Sequence, residues 1–333
     1  MGAGIKAIEY YLPESVLTNQ DLSEIFKDWT AEKISSKTGI EERRIATKEE
    51  CASDLAVKAA RKIFDSGIIT PEEIDFVILA TQTPDYILPT TACMIQDRLG
   101  IPNSCGAFDF NLGCSAYIYG LAMSKALVNS NIASNVLLLT AETYSKHIHP
   151  MDKSSRTIFG DGAAATLISK CVHEIGEFDL GTDGSGYDKL IIPAGGARTP
   201  KDEKTKVTYE DNGSIRSKDN LYMAGADIFN FTIKIVPQSI KNVLEKNKLE
   251  MDDIDLFVFH QANKFMLDFL RKKVKIPEEK FIIDMKYTGN TVSPTIPIIL
   301  KKIEESGKLK KGFKVLLIGF GVGLSWGSTI ITW

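Results

Sequence analysis

The chain carries Ile74-Asp75-Phe76-Val77 and, at an offset of 180 residues, Ile254-Asp255-Leu256-Phe257. Each copy follows an acidic turn, Pro71-Glu72-Glu73 in the first case and Met251-Asp252-Asp253 in the second. Short apolar runs bounded by turns are typical of strands in an α/β sheet that is buried on both faces. The matching context suggests that one structural unit occurs twice in this chain.

Two further pairs of strand-like segments keep nearly the same offset and the same order. They are Ala107–Phe110 with Phe281–Asp284, in which Asp109 and Asp284 are offset by 175 residues, and Asn135–Leu139 with Lys314–Ile318, at an offset of 179 residues. Three strands repeated in one order at nearly one offset indicate a duplication, whereas a single matching pair would be unremarkable. The sequence therefore predicts an α/β protein built from two like halves, 1–170 and 171–333.

The duplication also predicts a site shared between the halves. Cys114 and Asn290 lie 176 residues apart, each a few positions after its strand, and His260 ends a strand of the second half. Open α/β sheets bind ligands beyond the carboxyl ends of their strands. If the halves pack about a pseudo-twofold axis, these three side chains meet near the middle.

Composition excludes several classes of function. The 333 residues are 44% hydrophobic and 25% charged with a net charge of −3, as in an ordinary globular protein without a general attraction to nucleic acid or anionic membranes. No apolar run approaches the ~20 residues that span a bilayer. The segment Met1–Tyr11 has no long apolar core and is expected to form a first strand rather than a signal peptide.

Cysteine usage favours a reducing compartment. The five cysteines are odd in number and contain no CxxC pair, which argues against a disulfide framework or a structural zinc site and favours the cytoplasm: Cys51, Cys93, Cys105, Cys114 and Cys171. His147 and His149 lack a third ligand at helical spacing, so no metal site is predicted.

Cys114 is the candidate nucleophile. It follows Asn111-Leu112-Gly113 where a strand gives way to a helix that is expected to run to about Val128. A thiol at a helix N-terminus experiences the positive end of the helix dipole, which favours its reactive thiolate. The alternative is a buried cysteine that only fills space, which is the common case.

His260 and Asn290 are the candidate partners. His260 follows the apolar strand Leu256–Phe259, and Asn290 lies in the turn Tyr287–Thr291. Taken singly, each would ordinarily be structural. The Gly-rich turns Phe159–Ala165 and Phe320–Gly323 lack the forms that bind nucleotides and are expected to allow close backbone packing. The polar segment 195–220 is expected to be a long surface excursion.

Several motifs together resemble the β-ketoacyl-acyl-carrier-protein synthase III family over essentially the whole chain. They are TGIEERR at 38–44, NLGCSAY at 111–117, FGDGAAA at 159–165, HQAN at 260–263, GNT at 289–291 and FGVGLSWG at 320–327. The resemblance implies a thiolase-like duplicated fold with five layers, α-β-α-β-α, and a homodimer. It also implies that Cys114, His260 and Asn290 occupy the three catalytic positions.

The chemistry implied by the resemblance needs no metal or redox cofactor. Cys114 takes an acyl group from an acyl-CoA or acyl-carrier-protein thioester, while backbone N–H groups of Cys114 and near Val322 stabilise the oxyanion. His260 and Asn290 then donate hydrogen bonds to the thioester carbonyl of malonyl-carrier protein as carbon dioxide departs. The resulting carbanion attacks the acyl group and gives a β-ketoacyl-carrier protein.

Some positions depart from the family pattern. Members that take acetyl-CoA usually place a Trp and an Arg around the adenine, but here Lys37 precedes Thr38, Trp29 comes four residues early and Arg156 is displaced toward Phe159. The acyl donor therefore stays open between coenzyme A and a carrier protein.

Two further expectations concern the acyl pocket and the carrier. Leu88 and Phe320 are expected to line the acyl pocket. Leu88 replaces a Phe that in some members limits this pocket from across the dimer, which predicts a longer or branched acyl group. Lys264 and Arg271 offer a basic docking surface to an acidic carrier protein, although a solvated helix face would look the same.

Other functions stay open at this point. Relatives of the family pass the Cys-bound acyl group to an oxygen or nitrogen nucleophile without decarboxylation. A Cys-His-Asn set also occurs in papain-like proteases, although the duplicated pattern and the GNT turn argue against that class. A carrier-binding module without catalysis is disfavoured by the three reactive positions.

Overall fold

The computed structural model describes residues 2–171 and 173–333, so Met1 of the expected first strand lies outside the described residues. The strands are, in chain order, β1 (Ala3–Tyr11), β2 (Val16–Thr18), β3 (Glu42–Arg44), β4 (Phe76–Ala80), β5 (Gly106–Phe110), β6 (Asn135–Glu142), β7 (Gly162–Lys170), β8 (Ile175–Thr182), β9 (Leu190–Ile191), β10 (Tyr209–Asp211), β11 (Ser214–Arg216), β12 (Tyr222–Met223), β13 (Leu256–Phe259), β14 (Phe281–Ile282), β15 (Lys314–Gly321) and β16 (Ser325–Thr332).

The α-helices connect and cover these strands. They are α1 (Asn19–Ile25), α2 (Ala31–Thr38), α3 (Ala52–Asp65), α4 (Thr91–Arg98), α5 (Ala116–Asn129), α6 (Lys153–Arg156), α7 (Gly225–Asn247), α8 (Lys264–Val274) and α9 (Thr295–Glu305). Helix α5 ends one residue beyond the expected Val128.

The two large sheets repeat one topology. The first has the order β1-β7-β6-β4-β5 and the second, read from its β8 edge, the order β8-β16-β15-β13-β14. In each sheet the first two neighbouring pairs are antiparallel and the last two are parallel. The repeated segments Phe76–Ala80 and Leu256–Phe259 occupy the same place in their sheets, which confirms the predicted duplication.

The sheets and helices form five layers. Helix α3 covers the outer face of the first sheet and α7 the outer face of the second. Helices α5 and α9 each contact strands of both sheets, so these two helices form the middle layer. The α-β-α-β-α thiolase-like architecture predicted from sequence is therefore present, with α5 and α9 as equivalent helices.

The middle layer explains the composition of its helices. In α5 the buried side chains include Tyr117, Ile118 and Leu121, and in α9 they include Ile298 and Leu300. A helix sandwiched between two sheets has no broad solvent face, so apolar residues occur around most of its circumference. Cys114 and Asn290 precede these two helices, which brings them to the centre of the molecule.

The division into 1–170 and 171–333 remains a proposal. Strand β7 ends at Lys170 in the first sheet, and the next strand, which starts at Ile175, belongs to the second sheet. The change of sheet at this point supports the proposed boundary.

The segment 195–220 is largely exposed, as expected of a surface excursion, but part of it has regular structure. It contains the hairpin β10–β11, whose turn residues Asn212 and Gly213 have φ of 52° and 76°. These left-handed values are those that a tight hairpin turn requires, and Asn-Gly is the pair that adopts them most readily. The side chains of Thr205 and Arg216 are buried and anchor the otherwise exposed segment to the protein. None of the described helices is long and apolar enough to cross a membrane.

Candidate active site

Cys114 lies two residues before α5, in the tight connection from β5. The next residue, Ser115, is the N-cap of the helix. Its hydroxyl oxygen lies 2.7 Å from Ser325 Oγ in the other half of the chain. The expected placement of the thiol at a helix N-terminus is thus observed. Its side chain is only 6% exposed.

Strand β15 approaches Cys114 so closely that only glycine fits. A Cβ on Gly319 would lie 2.5 Å from the Cys114 carbonyl oxygen, and a Cβ on Gly321 would lie 2.9 Å from Sγ. Real Cβ atoms do not make such contacts with a backbone, because the van der Waals radii overlap. The second half therefore forms one wall around the nucleophile of the first half.

Burial keeps the Cys114 thiol protonated. Its pKa is raised to about 12, chiefly because the site is removed from water and secondarily because the Glu142 carboxyl lies nearby. Hydrogen bonds from the backbone N–H groups of Val322 and Cys114 lower the pKa but do not outweigh burial. This differs from the expectation of a favoured thiolate, since desolvation penalises the charged form more than the helix end stabilises it. The thiol proton must therefore have an acceptor.

His260 follows β13 and is 1% exposed. Its Nδ1 lies 2.8 Å from Thr295 Oγ1, and its ring meets Phe320 edge to face with centroids 5.7 Å apart. Burial lowers the pKa of His260 to about 3, so the imidazole is neutral at physiological pH.

Asn290 is held by the backbone on both sides. Its N–H donates to the Ile158 carbonyl at 2.9 Å, its carbonyl accepts from Gly160 N–H at 3.0 Å, and its Oδ1 accepts from Val292 N–H at 2.8 Å. The Gly-rich turn that begins at Phe159 is thus used for close backbone packing, as expected. A Cβ on Gly160 would lie 2.4 Å from the Thr288 carbonyl oxygen.

One enclosed cavity of about 140 Å³ contains all three predicted side chains. Cys114, His260, Asn290 and Phe320 line it together with mostly apolar residues of both halves: Ile158, Phe159, Leu190, Met223, Gly225, Ile228, Ala262, Asn263, Met266 and Gly321. A small apolar cavity with a thiol, an imidazole and an amide can hold an acyl group and stabilise charge that develops on a thioester oxygen.

The C-terminal part of the chain, residues 244–333, matches the family model described as 3-oxoacyl-[acyl-carrier-protein] synthase III C terminal, and residues 108–184 match the model of 3-oxoacyl-[acyl-carrier-protein] synthase III. A β-ketoacyl-[acyl-carrier-protein] synthase III of Fusobacterium nucleatum is 39% identical, with 99% of this chain and 98% of the relative covered. Its counterpart in Caldanaerobacter subterraneus is 38% identical, with 100% and 98% covered. The chain belongs to the β-ketoacyl-[acyl-carrier-protein] synthase III family.

Solved structures agree with this assignment to the synthase III family. A crystal structure of a 3-oxoacyl-(acyl-carrier-protein) synthase III is 50% identical over the whole of both chains, with a TM-score of 0.98. The synthase III of Thermus thermophilus is 35% identical over 99% of both chains, with a TM-score of 0.87. The protein is accordingly a thiolase-fold acyltransferase of the condensing class, as the sequence motifs predicted.

Not every residue assigned to the synthase III site lies in the cavity. Val322 contributes its backbone rather than its side chain, through the hydrogen bond to the Cys114 sulfur. Leu88 is 79% exposed and does not line the cavity of its own chain; Tyr86 and Ile87 beside it are exposed as well.

The two cationic positions expected to recognise the donor, Lys37 and Arg156, have separate surroundings. Lys37 Nζ lies 4.7 Å from the centre of the Trp29 ring. Arg156 is half-buried in a second cavity, which shares the Phe159 wall with the cavity of Cys114. Lys33 and Lys153 also lie over Trp29, each at 5.5 Å, so Trp29 is surrounded by lysines although it stands early in sequence.

Lys264 and Arg271 both lie on α8. Lys264 lines a surface groove of about 610 Å³ with Phe265, Phe269 and Lys272, and it pairs with Asp268 on its own helix. Arg271 pairs with Glu278 at 3.3 Å and is mostly covered. Both side chains have an acidic partner, but that of Lys264 is 54% exposed and accessible for docking, whereas that of Arg271 is 17% exposed.

Sequence reasoning missed three residues of the site. Thr295 forms a hydrogen bond with His260, Glu142 raises the pKa of Cys114, and the Lys153 ammonium group lies over the Trp29 ring. For Lys153 the signal was its place just before the Gly-rich turn at Phe159. Thr295 and Glu142 gave no signal because each acts through a contact distant in sequence. In the part of the chain that the structure describes, no group of His, Cys, Asp and Glu side chains could hold a metal ion.

Proposed function

We propose that this synthase III joins an acyl group on Cys114 to a malonyl unit by decarboxylative condensation, using His260 and Asn290 for the second substrate. The observation that carries the proposal is the single cavity lined by all three side chains. A nucleophile beside two potential hydrogen-bond donors matches the needs of a two-step acyl transfer.

The first half-reaction is acylation. The Cys114 sulfur attacks the acyl carbon of a thioester, the donor thiol leaves, and the acyl oxygen develops negative charge. Backbone N–H groups of Cys114 and Val322 already point at the sulfur. Their position supports a role in stabilising that oxyanion, an effect that is typically worth about 3 kcal/mol per donor.

The second half-reaction is condensation. Asn290 Oδ1 is occupied by Val292 N–H, so the Nδ2 group is left to donate toward the cavity. We propose that it acts with His260 on the carbonyl of a malonyl-carrier protein thioester and stabilises the enolate that forms as carbon dioxide leaves. The enolate carbon attacks the acyl-Cys114 carbonyl and releases a β-ketoacyl-carrier protein.

The entrance supports a donor with anionic groups. Lys33, Lys37 and Lys153 surround Trp29; Lys153 pairs with Asp28 at 2.5 Å, which leaves the ammonium groups of Lys33 and Lys37 to attract phosphate. Coenzyme A and a carrier protein's phosphopantetheine arm both carry phosphate, and we propose that one of them supplies the acyl group. The reaction we propose needs no further cofactor.

The acyl pocket is proposed to be completed by a second copy of the chain. Tyr86, Ile87 and Leu88 form an exposed apolar tip, with Ile87 93% exposed. Contiguous apolar residues on a loop tip are typical of protein contacts. In a homodimer Leu88 would then close the partner's acyl pocket and leave more room than a Phe.

The carrier protein is proposed to dock at the groove lined by Lys264 and Lys272. Phe265 and Phe269 give the same groove an apolar part, with Phe265 65% exposed. A basic and apolar groove suits an acidic protein with an amphipathic helix. The free cysteines, among them the exposed Cys93, support a reducing cytoplasm as the site of action.

Intact mass spectrometry with acyl-CoA and acyl-carrier-protein donors tests the proposal. The wild-type protein should gain one acyl group and lose it to malonyl-carrier protein with release of the β-ketoacyl product. Cys114→Ala should gain none, and Cys93→Ala, which removes an exposed thiol, should react as the wild type does. Equal labelling of Cys114→Ala would refute Cys114 as the nucleophile.

A further inference from the structure

A short segment after Asn290 contacts both catalytic partners of Cys114. Val292 N–H binds Asn290 Oδ1 at 2.8 Å, and Thr295 Oγ1 lies 2.8 Å from His260 Nδ1. Thr295 Oγ1 also lies 3.0 Å from the Val292 carbonyl oxygen. Thr295 is buried in the first turn of α9, so water does not compete for these bonds.

The Thr295 hydroxyl has a single hydrogen to share between these two neighbours. The Val292 carbonyl can only accept a hydrogen bond, so the hydroxyl hydrogen points to it. The hydroxyl oxygen must then accept from His260, and Nδ1 must carry the imidazole hydrogen. The opposite arrangement would leave two oxygens 3.0 Å apart with no hydrogen between them.

The neutral ring has one hydrogen as well. If Nδ1 carries it, Nε2 has a free lone pair. Cys114 is the titratable group that lines the cavity with His260; the buried Glu142 raises the pKa of Cys114 but does not line the cavity. The burial that lowers the His260 pKa keeps the ring neutral before substrate binds.

We propose that Thr295 is a positioning residue that holds His260 in its Nδ1-protonated tautomer, so that Nε2 enters the reaction as the acceptor of the Cys114 thiol proton. The proposal rests on the proposed function and deepens it, since it names the source of the proton that His260 later donates. It also names an acceptor for the Cys114 thiol proton within the same cavity.

The proton balance closes over the two half-reactions. In acylation the Cys114 sulfur forms a bond to the acyl carbon, and the thiol proton moves to Nε2 of His260. The C–S bond of the donor breaks, and the donor leaves as a thiolate that takes a proton from water. In condensation the protonated Nε2 donates to the enolate oxygen. When the new C–C bond expels the Cys114 thiolate, the proton returns to sulfur.

The backbone conformation of Val292 supports the proposed positioning of His260 by Thr295. Val292 has φ of 64°, a left-handed conformation that costs a β-branched residue of order 1–3 kcal/mol. That conformation aims its N–H at Asn290 and its carbonyl at Thr295. One strained residue thus orients both the amide and, through Thr295, the imidazole.

Nitrogen-15 NMR of the histidine-labelled full-length protein tests the tautomer without any substrate. The chain has four histidines, and a His260→Gln sample assigns the resonances of His260. We expect a hydrogen on Nδ1 and none on Nε2 in the wild type. A hydrogen on Nε2 would overturn the proposal, and this readout is independent of whether the proposed condensation takes place.

Rapid-quench acylation of Thr295→Val and Thr295→Ser tests the role of the hydroxyl. Valine keeps the shape but removes the hydroxyl, and we expect a mixed tautomer with acylation about 100-fold slower, the typical contribution of a positioned base. Serine keeps the hydroxyl and should restore both the tautomer and the rate. Unchanged acylation in Thr295→Val would overturn the proposal; if that variant fails to fold, the wild-type tautomer and the Thr295→Ser rate still decide it.

Discussion

The backbone N–H of Val292 donates a hydrogen bond to Asn290 Oδ1 over 2.8 Å. Because the amide oxygen is occupied, the Nδ2 group is the part of Asn290 that a substrate can meet. The Nδ2 group has only a long contact, 3.4 Å, to the Ala262 carbonyl, so it is free to donate to a stronger acceptor. This orientation separates the task of Asn290 from that of His260.

Asn290→Ala should leave acylation of Cys114 unchanged and slow condensation by about 100-fold to 1,000-fold, the effect of removing one donor to an oxyanion. His260→Ala should slow both half-reactions, since His260 is proposed to accept a proton in the first. Separate measurement of acyl-enzyme formation and of its consumption by malonyl-carrier protein checks both. Asn103→Ala, in an exposed loop, is the control; slow acylation in Asn290→Ala would contradict the assignment.

Gly319→Ala should disturb the nucleophile from the other half of the molecule. Its Cβ would lie 2.5 Å from the Cys114 carbonyl oxygen and 2.8 Å from Ser115 Cα, so the backbone must shift. We expect the free energy of unfolding to fall by about 1–3 kcal/mol, as for other overpacked sites, and acylation to slow. Urea denaturation and acylation rates measure these effects. Gly184→Ala, with no atom within 4 Å of the added Cβ, should show neither.

Glu142 makes stability depend on pH. Burial raises its pKa from an ordinary value of 4.5 to about 8, although Ser293, Gln82 and Thr83 donate hydrogen bonds to it. The folded state therefore holds a proton that the unfolded state has lost, and stability falls as pH rises from 4.5 to 8 and then levels off.

Glu142→Gln removes that ionisation and nearly conserves the shape of the side chain. Its urea midpoint should fall less between pH 5 and pH 8 than that of the wild type. Asp161, with a pKa raised to about 6 by burial, contributes part of the remaining slope in both proteins. Equal pH dependence in the two proteins would refute the raised pKa of Glu142.

Lys264→Glu should weaken the carrier-protein substrate without altering the chemistry. Reversal of charge in the groove is expected to raise KM for malonyl-carrier protein while kcat stays close to the wild-type value, and added salt should reduce the difference. Lys308→Glu reverses an exposed lysine outside the groove and should leave KM unchanged. A KM that responds equally to both variants would place docking elsewhere.

The duplicated fold and the meeting of Cys114, His260 and Asn290 in one cavity could be predicted because their signals lie in the local sequence. Phe76–Ala80 and Leu256–Phe259 repeat with their turns, and Cys114, His260 and Asn290 each follow a strand. The ionisation of Cys114 could not be predicted in this way. Its pKa depends on how deeply the second half buries it, and no residue near Cys114 in sequence records that depth.

Contacts between distant segments were the other part that the sequence did not reveal. Thr295 reaches His260 across 35 residues, and Lys153 reaches Trp29 across more than a hundred. Arg271, which is expected on a docking surface, also pairs with Glu278, because the turn after α8 brings this carboxylate back. Such pairings depend on the tertiary fold, not on spacing along one helix.

Gly319 and Gly321 of the second copy lie against Cys114 of the first copy, so the cavity needs both copies of the repeated unit. Each sheet repeats the other, yet the thiol belongs to the first copy, whereas the imidazole, the amide and the strand that walls the thiol belong to the second. Neither copy could operate if it were separated from the other. The two halves therefore keep the same sheet topology but contribute different side chains to the shared cavity.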